Sequence, residues 1–397
     1  MQPIAMPTSP FLPDDLYTGT LVTRIWNPAG IGGPSVAVIR EDAVYDLSGH
    51  VATMSALLEA EEPVVWVRSW AGYRVGTLEE VLANSTEATR DPGKPYFLSP
   101  CDLQVIKAAG VTFATSMIER VIEEKAGGDA SRAQDIRAQV VAHIGSDLAA
   151  IKPGSAQAMQ LKAALQAQGI WSQYLEVGIG PDAEVFTKAP VLSSVGTGSD
   201  VGIRSDSHWN NPEPEVVLAV NSRGVIQGAC LGNDVNLRDI EGRSALLLGK
   251  AKDNNASCAL GPFIRLFDES FDLDHVRRQV VQLQVSGEDG FVLLGSSSMD
   301  QISRDPLELV QQTLGAHQYP DGFMLFMGTL FAPTQDRDQP GGGFTHHLGD
   351  VVRIQSPHLG ALCNRVTHCE QAAPWQFGLG AFFANLAKRG LLLNEDI

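Results

Sequence analysis

No stretch of about 18 apolar residues occurs anywhere in the 397-residue chain, which excludes a membrane-spanning helix. Cysteine is scarce and unordered. Cys101, Cys230, Cys258, Cys363 and Cys369 are odd in number, scattered and free of any CxxC, which speaks against a disulfide framework or a zinc site and for reduced, buried thiols. Positive charge is also in short supply, with 29 Lys and Arg against 46 Asp and Glu and a formal net charge of −17. That deficit disfavours a nucleic-acid-binding surface, which needs a basic stripe, and polybasic docking to a membrane. The opening residues, MQPIAMPTSPFLPDD, have neither a basic n-region nor an apolar h-region, so no secretory signal is expected. Internal repeats and low-complexity segments are absent. What is present is an ordinary globular composition, 44% hydrophobic and 19% charged, the expectation being a cytoplasmic protein without nucleic-acid or membrane partners.

The length allows one large domain or two. Residues 16–48 alternate short apolar runs ("GTLVTRIW", "PSVAVIR", "AVYDLS") with Gly and Pro turns, which predicts a small β region, with a short helix near "VATMSALLEAEE". The turn-rich "DPGKPYFLSP" (91–100) marks a boundary between an N-terminal domain, 1–100, and a catalytic domain, 101–397. From 110 to 169 the pattern is helical, with Ile118, Val121 and Ile122 on one face and "AGGDA" (126–130) separating two helices. Beyond about residue 184 the chain returns to short strands, and "VVRIQSPHLGALCNRVTH" reads as a β-hairpin.

One strand carries an anomaly. "NNPEPEVVLAV" (210–220) ends in a clean β run but begins with two carboxylates, each preceded by proline; both residue types are poor strand formers. In an extended strand, residues i and i+2 face the same way, so Glu213 and Glu215 can converge. Asp234, arriving from a neighbouring strand, would complete an all-oxygen site for a hard cation, Mg²⁺ or Mn²⁺. On spacing alone, solvated charges that blunt a strand end are the commoner outcome.

"EPEVVLAV", "GNDVNLRDIEG" and "AKDNNASCALGP", in this order, resemble the core of the fumarylacetoacetate hydrolase superfamily, with its E-x-E, its N-D-x-x-x-R-D-x-Q and its following lysine. "GVTFATS", "MLFMGTLFAP" and "LGDVVRIQSPHLGALCNRV" resemble further family segments. The resemblance implies an α+β, β-rich fold, with a mixed β-roll or barrel-like catalytic domain and a smaller N-terminal domain. It also implies a metal at Glu213, Glu215 and Asp234, and a catalytic Lys252.

Three features bear on which reaction. Hydrolytic members resemble G-x-N-Y-x-x-H-x-x-E, whose His and Glu activate water; here Ser116 stands at the histidine position and Glu119 is retained. Ser116 is left to bind substrate, or to cap a helix in an S-x-x-E box with Glu119. Glu184, in "GIGPDAEVFTKAP", matches a glutamate of the superfamily's 2-keto-3-deoxy-sugar-acid dehydratases. In "VGIRSDSHW", Arg204 and Asp206 could hold substrate oxygens, or pair with each other on the surface. Thr329 is a further substrate-binding candidate, its bland alternative being a strand threonine. His346 and His347 sit beside a Gly-rich loop (341–343), a poor metal site that reads as a solvent loop rather than a lid.

The resemblance therefore implies a Mg²⁺- or Mn²⁺-dependent dehydratase of a 2-keto-3-deoxy pentonate, giving 2,5-dioxopentanoate in non-phosphorylative sugar catabolism. Its substrate would be a small 2-keto acid and its assembly a homodimer or homotetramer. Lys252 would take the C3 proton or steady the enolate, and Glu184, with Glu119, would protonate the departing C4 hydroxyl. As a base, Lys252 needs a depressed pKa, which a nearby cation favours. The alternative is a C–C hydrolase of a 2,4-dioxo acid, against which the missing histidine counts.

Overall fold

The computed structural model of the protein describes residues 11–144, 151–169 and 171–393. In chain order, its first strands are β1 (Leu21–Asn27), β2 (Gly33–Arg40), β3 (Ala43–Asp46), β4 (Tyr73–Thr77), β5 (Tyr96–Leu98), β6 (Val105–Gly110), β7 (Glu184–Ala189), β8 (Asp200–Ile203) and β9 (Asn210–Asn211). They are followed by β10 (Pro214–Val220), β11 (Ile226–Asp234), β12 (Asn236–Leu237), β13 (Cys258–Leu266), β14 (Val280–Ser286), β15 (Val292–Ser298), β16 (Phe323–Phe326), β17 (Val351–Ser356) and β18 (Gly360–His368).

The larger sheet has 11 strands, in the order β4-β3-β2-β1-β13-β11-β10-β16-β6-β7, with β5 paired to β1. The path has two free ends, so this sheet is open rather than a closed barrel. β1 pairs with β2 along its whole length and with β13 at Leu21 and Val22, so the strands of the first hundred residues lie in the same sheet as the strands after residue 184. A five-stranded sheet, β15-β14-β17-β18-β8, lies apart from it. The hairpin expected over 351–368 is β17–β18, antiparallel.

Strand β10 explains how the layers join. Its residues are buried throughout, because the period-two alternation sends side chains into two separate cores. Val216, Leu218 and Val220 pack into one core together with Val281, Leu283, Val285, Val352 and Ile354 of the second sheet. Val217 and Ala219 pack on the opposite side with Val36, Val38, Met54 and Leu57. A strand with two buried faces reads as a continuous apolar run, which is why "VVLAV" lacks polar alternation.

The helical stretch folds as expected, although its residues 145–150 lie outside those described. Helix α1 (Ala114–Ala126) ends at Gly127, whose φ of 66° is the left-handed conformation glycine adopts most easily. The next helix spans Ala130–Ile144. Val121 and Ile122 of α1 are buried, with Ile118 packed against the same core, which also takes in Leu165, Leu175 and Ile179. Among the described residues, no helix is long and apolar enough to cross a membrane.

Gly232 of β11 tests the packing that carries the chain to Asp234. A Cβ there would lie 2.3 Å from a Phe326 ring carbon and 2.6 Å from a Val217 methyl. Gly232→Ala is expected to destabilise the protein by about 1–3 kcal/mol through overpacking, read as a lowered denaturation midpoint.

Candidate metal and active site

The site lies where β10 and β11 end side by side. Pro214 is the first residue of β10 and pairs with Asn233. At a strand's first position the missing N–H costs little, and proline fixes φ just where Glu213 and Glu215 must be aimed. Across the strand pair, the Asp234 N–H donates to the Glu213 carbonyl at 3.0 Å. Glu213, Glu215 and Asp234 are all buried, and one oxygen of each can be chosen so that all lie within 4.8 Å of one another. The reading as solvated strand-end charges is thereby excluded.

Burial and mutual repulsion have visible consequences. Desolvation, then Asp234 and Glu213, push the Glu215 carboxyl well above its ordinary range, and the Gly328 N–H donates to it at 2.6 Å. Burial acts the same way on Asp234, but Lys188 and Lys252 outweigh it and hold the carboxyl below the ordinary value. Lys252 Nζ lies 2.5 Å from Glu213 Oε2 and 3.0 Å from Asp234 Oδ2. Lys188, fully buried, sits behind the site with Nζ 2.8 Å from Asp234 Oδ1. Three hard oxygen donors, crowded enough for one to be forced toward its neutral form, fit a divalent cation of the Mg²⁺ or Mn²⁺ type.

The same cavity is lined by Ser116, Arg120, Glu184, Phe186, Glu241, Gly328 and Thr329. Glu184 begins β7 opposite Gly110. A Cβ at Gly110 would fall 1.9 Å from Glu184 Oε2, so the glycine leaves the carboxyl its place. Burial, and then the Glu241 charge, raise Glu184 to about 7. Lys252 loses some proton affinity to burial, but Asp234, Glu213 and Glu241 more than reverse that and push it far up. Without a cation at the site it is held as an ammonium; the depression its role as a base calls for is one that a cation on Glu213 and Asp234 would favour.

Of the residues singled out in the sequence, Glu213, Glu215, Asp234, Lys252, Glu184, Ser116 and Thr329 come together here. Ser116 does not cap a helix. α1 starts at Ala114, two residues earlier, and the Ser116 hydroxyl donates to the Phe113 carbonyl at 3.0 Å. Glu119 does not line the cavity; Arg137, at 2.6 Å, and Arg238, at 3.3 Å, occupy its carboxylate. Arg204 and Asp206 do not line it either. They form a two-point pair with each other at 2.7 and 2.9 Å on the surface, with Lys250 bonded to Asp206. His346 is buried against Asp350 at 3.1 Å, and His347 faces Asp289 and Asp338.

Arg120, Lys188 and Glu241 escaped the sequence reading. Glu241 lies inside the quoted "GNDVNLRDIEG", and Arg120 follows Ser116 by four positions, one helical turn on. Lys188 stands in "FTKAP" and carries no signal beyond being a lysine in a strand.

Residues 180–367 match the family model described as fumarylacetoacetate (FAA) hydrolase C-terminal. The chain is 32% identical over 186 residues to the 2-dehydro-3-deoxy-D-arabinonate dehydratase of Saccharolobus solfataricus, covering 46% of this chain and 58% of that protein. It is 31% identical over 194 residues to a probable 2-keto-3-deoxyxylonate dehydratase of Haloferax volcanii, covering 49% and 63%. The matched regions thus span less than two thirds of these relatives. Among solved structures, the apo form of a 2-keto-3-deoxy-D-arabinonate dehydratase superposes with a TM-score of 0.60 at 21% identity, over 88% of this chain and 99% of that one. The form complexed with magnesium and 2,5-dioxopentanoate superposes with a TM-score of 0.58, at the same identity and coverage. These likenesses establish the fold as mixed, sheet-rich α+β.

Because Glu184 holds its proton more tightly folded than unfolded, its share of stability is fully present below the ordinary value of 4.5 and is lost as pH rises to about 7. Metal-free protein is expected to lose thermal stability across that window. Glu184→Gln flattens the slope of unfolding temperature against pH; an unchanged slope contradicts the assignment.

Proposed function

We propose that the chain is a divalent-metal-dependent hydro-lyase that dehydrates a 2-keto-3-deoxy pentonate to 2,5-dioxopentanoate, the semialdehyde of 2-oxoglutarate. The observation that carries this reading is the convergence of Glu213, Glu215, Asp234, Lys252 and Glu184 on one cavity, in a chain whose curated relatives are named as dehydratases of such acids. Glu213, Glu215 and Asp234 are the residues to hold the cation, which supplies Lewis-acid polarisation to a substrate whose carboxylate and 2-keto oxygen lie side by side.

The chain's own groups divide the remaining work by charge. Glu184, raised to about 7, keeps a proton near neutrality and can deliver it to the departing C4 hydroxyl, which leaves as water. Lys252, held charged by Asp234, Glu213 and Glu241, is suited to stabilising the negative charge that develops on the C2 oxygen when the C3 proton leaves. Loss of the C3 proton and the C4 hydroxyl leaves a C3–C4 double bond, and tautomerisation through C5 gives the terminal aldehyde. The C3 proton goes to Lys252, whose lone pair a cation neutralising Glu213 and Asp234 would free, and the ammonium so formed is the one that faces the C2 oxygen. Thr329 and Ser116 line the cavity beside these groups and are proposed to contact substrate hydroxyls. Glu119 is proposed as a positioning residue, fixing Arg238 and Arg137.

With Mg²⁺ and a panel of 2-keto-3-deoxy pentonates and hexonates, the expected product is the semialdehyde without pyruvate. Pyruvate release instead identifies C–C cleavage and overturns the dehydratase reading. Lys252→Ala is expected to reduce kcat by about 10²–10⁴-fold, the range for a positioned acid–base or electrostatic group; full turnover removes Lys252 from the mechanism.

A further inference from the structure

Arg120 is a cavity-lining group that the proposed chemistry leaves without a task. It is also an unusual one. Its side chain is 12% exposed, and its guanidinium touches three carboxylates from three separate places in the chain. Nη1 lies 2.7 Å from Glu123 Oε2 and 3.1 Å from Glu241 Oε2, while Nη2 bonds Glu213 Oε1. Lys252 takes the other oxygen of Glu213, Oε2. A proposed metal ligand thus has a cation on each of its oxygens.

The two edges of this guanidinium are held differently. Glu123, on α1, is itself fixed by Arg238 at 2.7 Å. Glu241 lies on the short helix Arg238–Glu241. Nη1 is therefore anchored by two carboxylates that have no part in the metal triad. Nη2 is held by Glu213, one of the three carboxylates that a divalent cation would neutralise. Once a cation shares Glu213, the attraction between that carboxylate and Arg120 weakens, while the Glu123 and Glu241 contacts keep the guanidinium where it is. The N–H groups of Nη2 then face the cavity beside the cation as charge-assisted donors for a carboxylate oxygen.

Resting on the dehydratase reading for its substrate class, we infer that Arg120 binds the carboxylate of the 2-keto acid and exchanges its contact with Glu213 for it. The site would then select anionic 2-oxo acids over their neutral amides and esters. Lysine cannot substitute fully, since its single ammonium cannot be anchored by Glu123 and Glu241 through one nitrogen and offer a second nitrogen to the substrate.

The test compares binding of pyruvate and its neutral analogue pyruvamide to the full-length protein loaded with Mn²⁺, by calorimetry, alongside Mn²⁺ affinity. Wild-type protein is expected to prefer pyruvate, and Arg120→Lys and Arg120→Met to reduce that preference at least tenfold. Mn²⁺ affinity should be unchanged in Arg120→Lys, which keeps the charge, and unchanged or tighter in Arg120→Met, where a cation competing for Glu213 is gone. Equal binding of the two ligands by wild-type protein overturns the inference. So does a preference that either folded variant retains in full, or a fall in Mn²⁺ affinity that accounts for the whole loss of pyruvate binding. Arg120→Lys keeps the positive charge among Glu123, Glu241 and Glu213, so the test does not depend on Arg120→Met folding. Should wild-type protein dehydrate no 2-keto-3-deoxy acid yet show the Arg120-dependent preference, the dehydratase reading falls and this inference stands.

Discussion

Everything at this site follows from the burial of three carboxylates at the joined ends of two strands. Like charges that close, removed from water, cannot all remain ionised unless cations compensate them. The chain supplies two ammonium groups and a guanidinium. Lys188 is packed behind Asp234 and holds it in place; Lys252 and Arg120 divide the oxygens of Glu213. Glu215 receives only a backbone N–H and is pushed toward its neutral form. Buried ion pairs of this kind are weak sources of stability, because desolvation offsets most of their attraction. Their retention in the middle of a well-packed sheet points to a use in binding rather than in folding.

The sheet makes that arrangement rigid. β10 is clamped between β11 and β16 and buried on both faces, so Glu213 and Glu215 leave from a strand whose register cannot slip without turning apolar side chains out of two cores. Pro214 sets the backbone at the point of departure, and Gly110 of β6 keeps room for Glu184 at the start of β7. Gly328, with φ of 87° and Thr112 packed where a side chain would go, aims its N–H at Glu215. Small residues and fixed dihedrals pre-organise a site whose charged parts would otherwise splay apart.

Much of this was legible because it is local. The i, i+2 spacing of Glu213 and Glu215 places them on one side of a strand, the ordered segments after them supplied Asp234 and Lys252, and one before them supplied Glu184. The helix pair broken at "AGGDA", the short helix at Met54–Glu59 and the β17–β18 hairpin were equally local signals. What escaped depended on distance in sequence or on angle around a helix. Arg120 and Ser116 are about 40° apart around α1, whereas Glu119 is turned about 100° from Arg120, toward Arg137 and Arg238. Proximity in sequence therefore favoured the wrong neighbour. Lys188 and Asp234 meet only because β7 and β11 are brought together by the fold. Arg204 and Asp206, two residues apart, satisfy each other first, an outcome that composition cannot distinguish from substrate binding. The pairing of β1 with β13, more than two hundred residues apart, has no local signature at all.

The central claim is that the Glu213–Glu215–Asp234 cluster is a divalent-cation site. It is tested most directly by the thermal unfolding of wild-type and Glu215→Gln protein, with and without millimolar Mg²⁺ or Mn²⁺. A cation that binds only the folded state stabilises it by mass action. Wild-type protein is expected to unfold at a higher temperature with metal, by an amount that grows with metal concentration. Glu215→Gln, which keeps the shape of a side chain already driven toward neutrality, should match the metal-free wild type and respond weakly or not at all to the ion. A wild-type unfolding temperature indifferent to both cations, or a Glu215→Gln response equal to the wild type's, contradicts the claim.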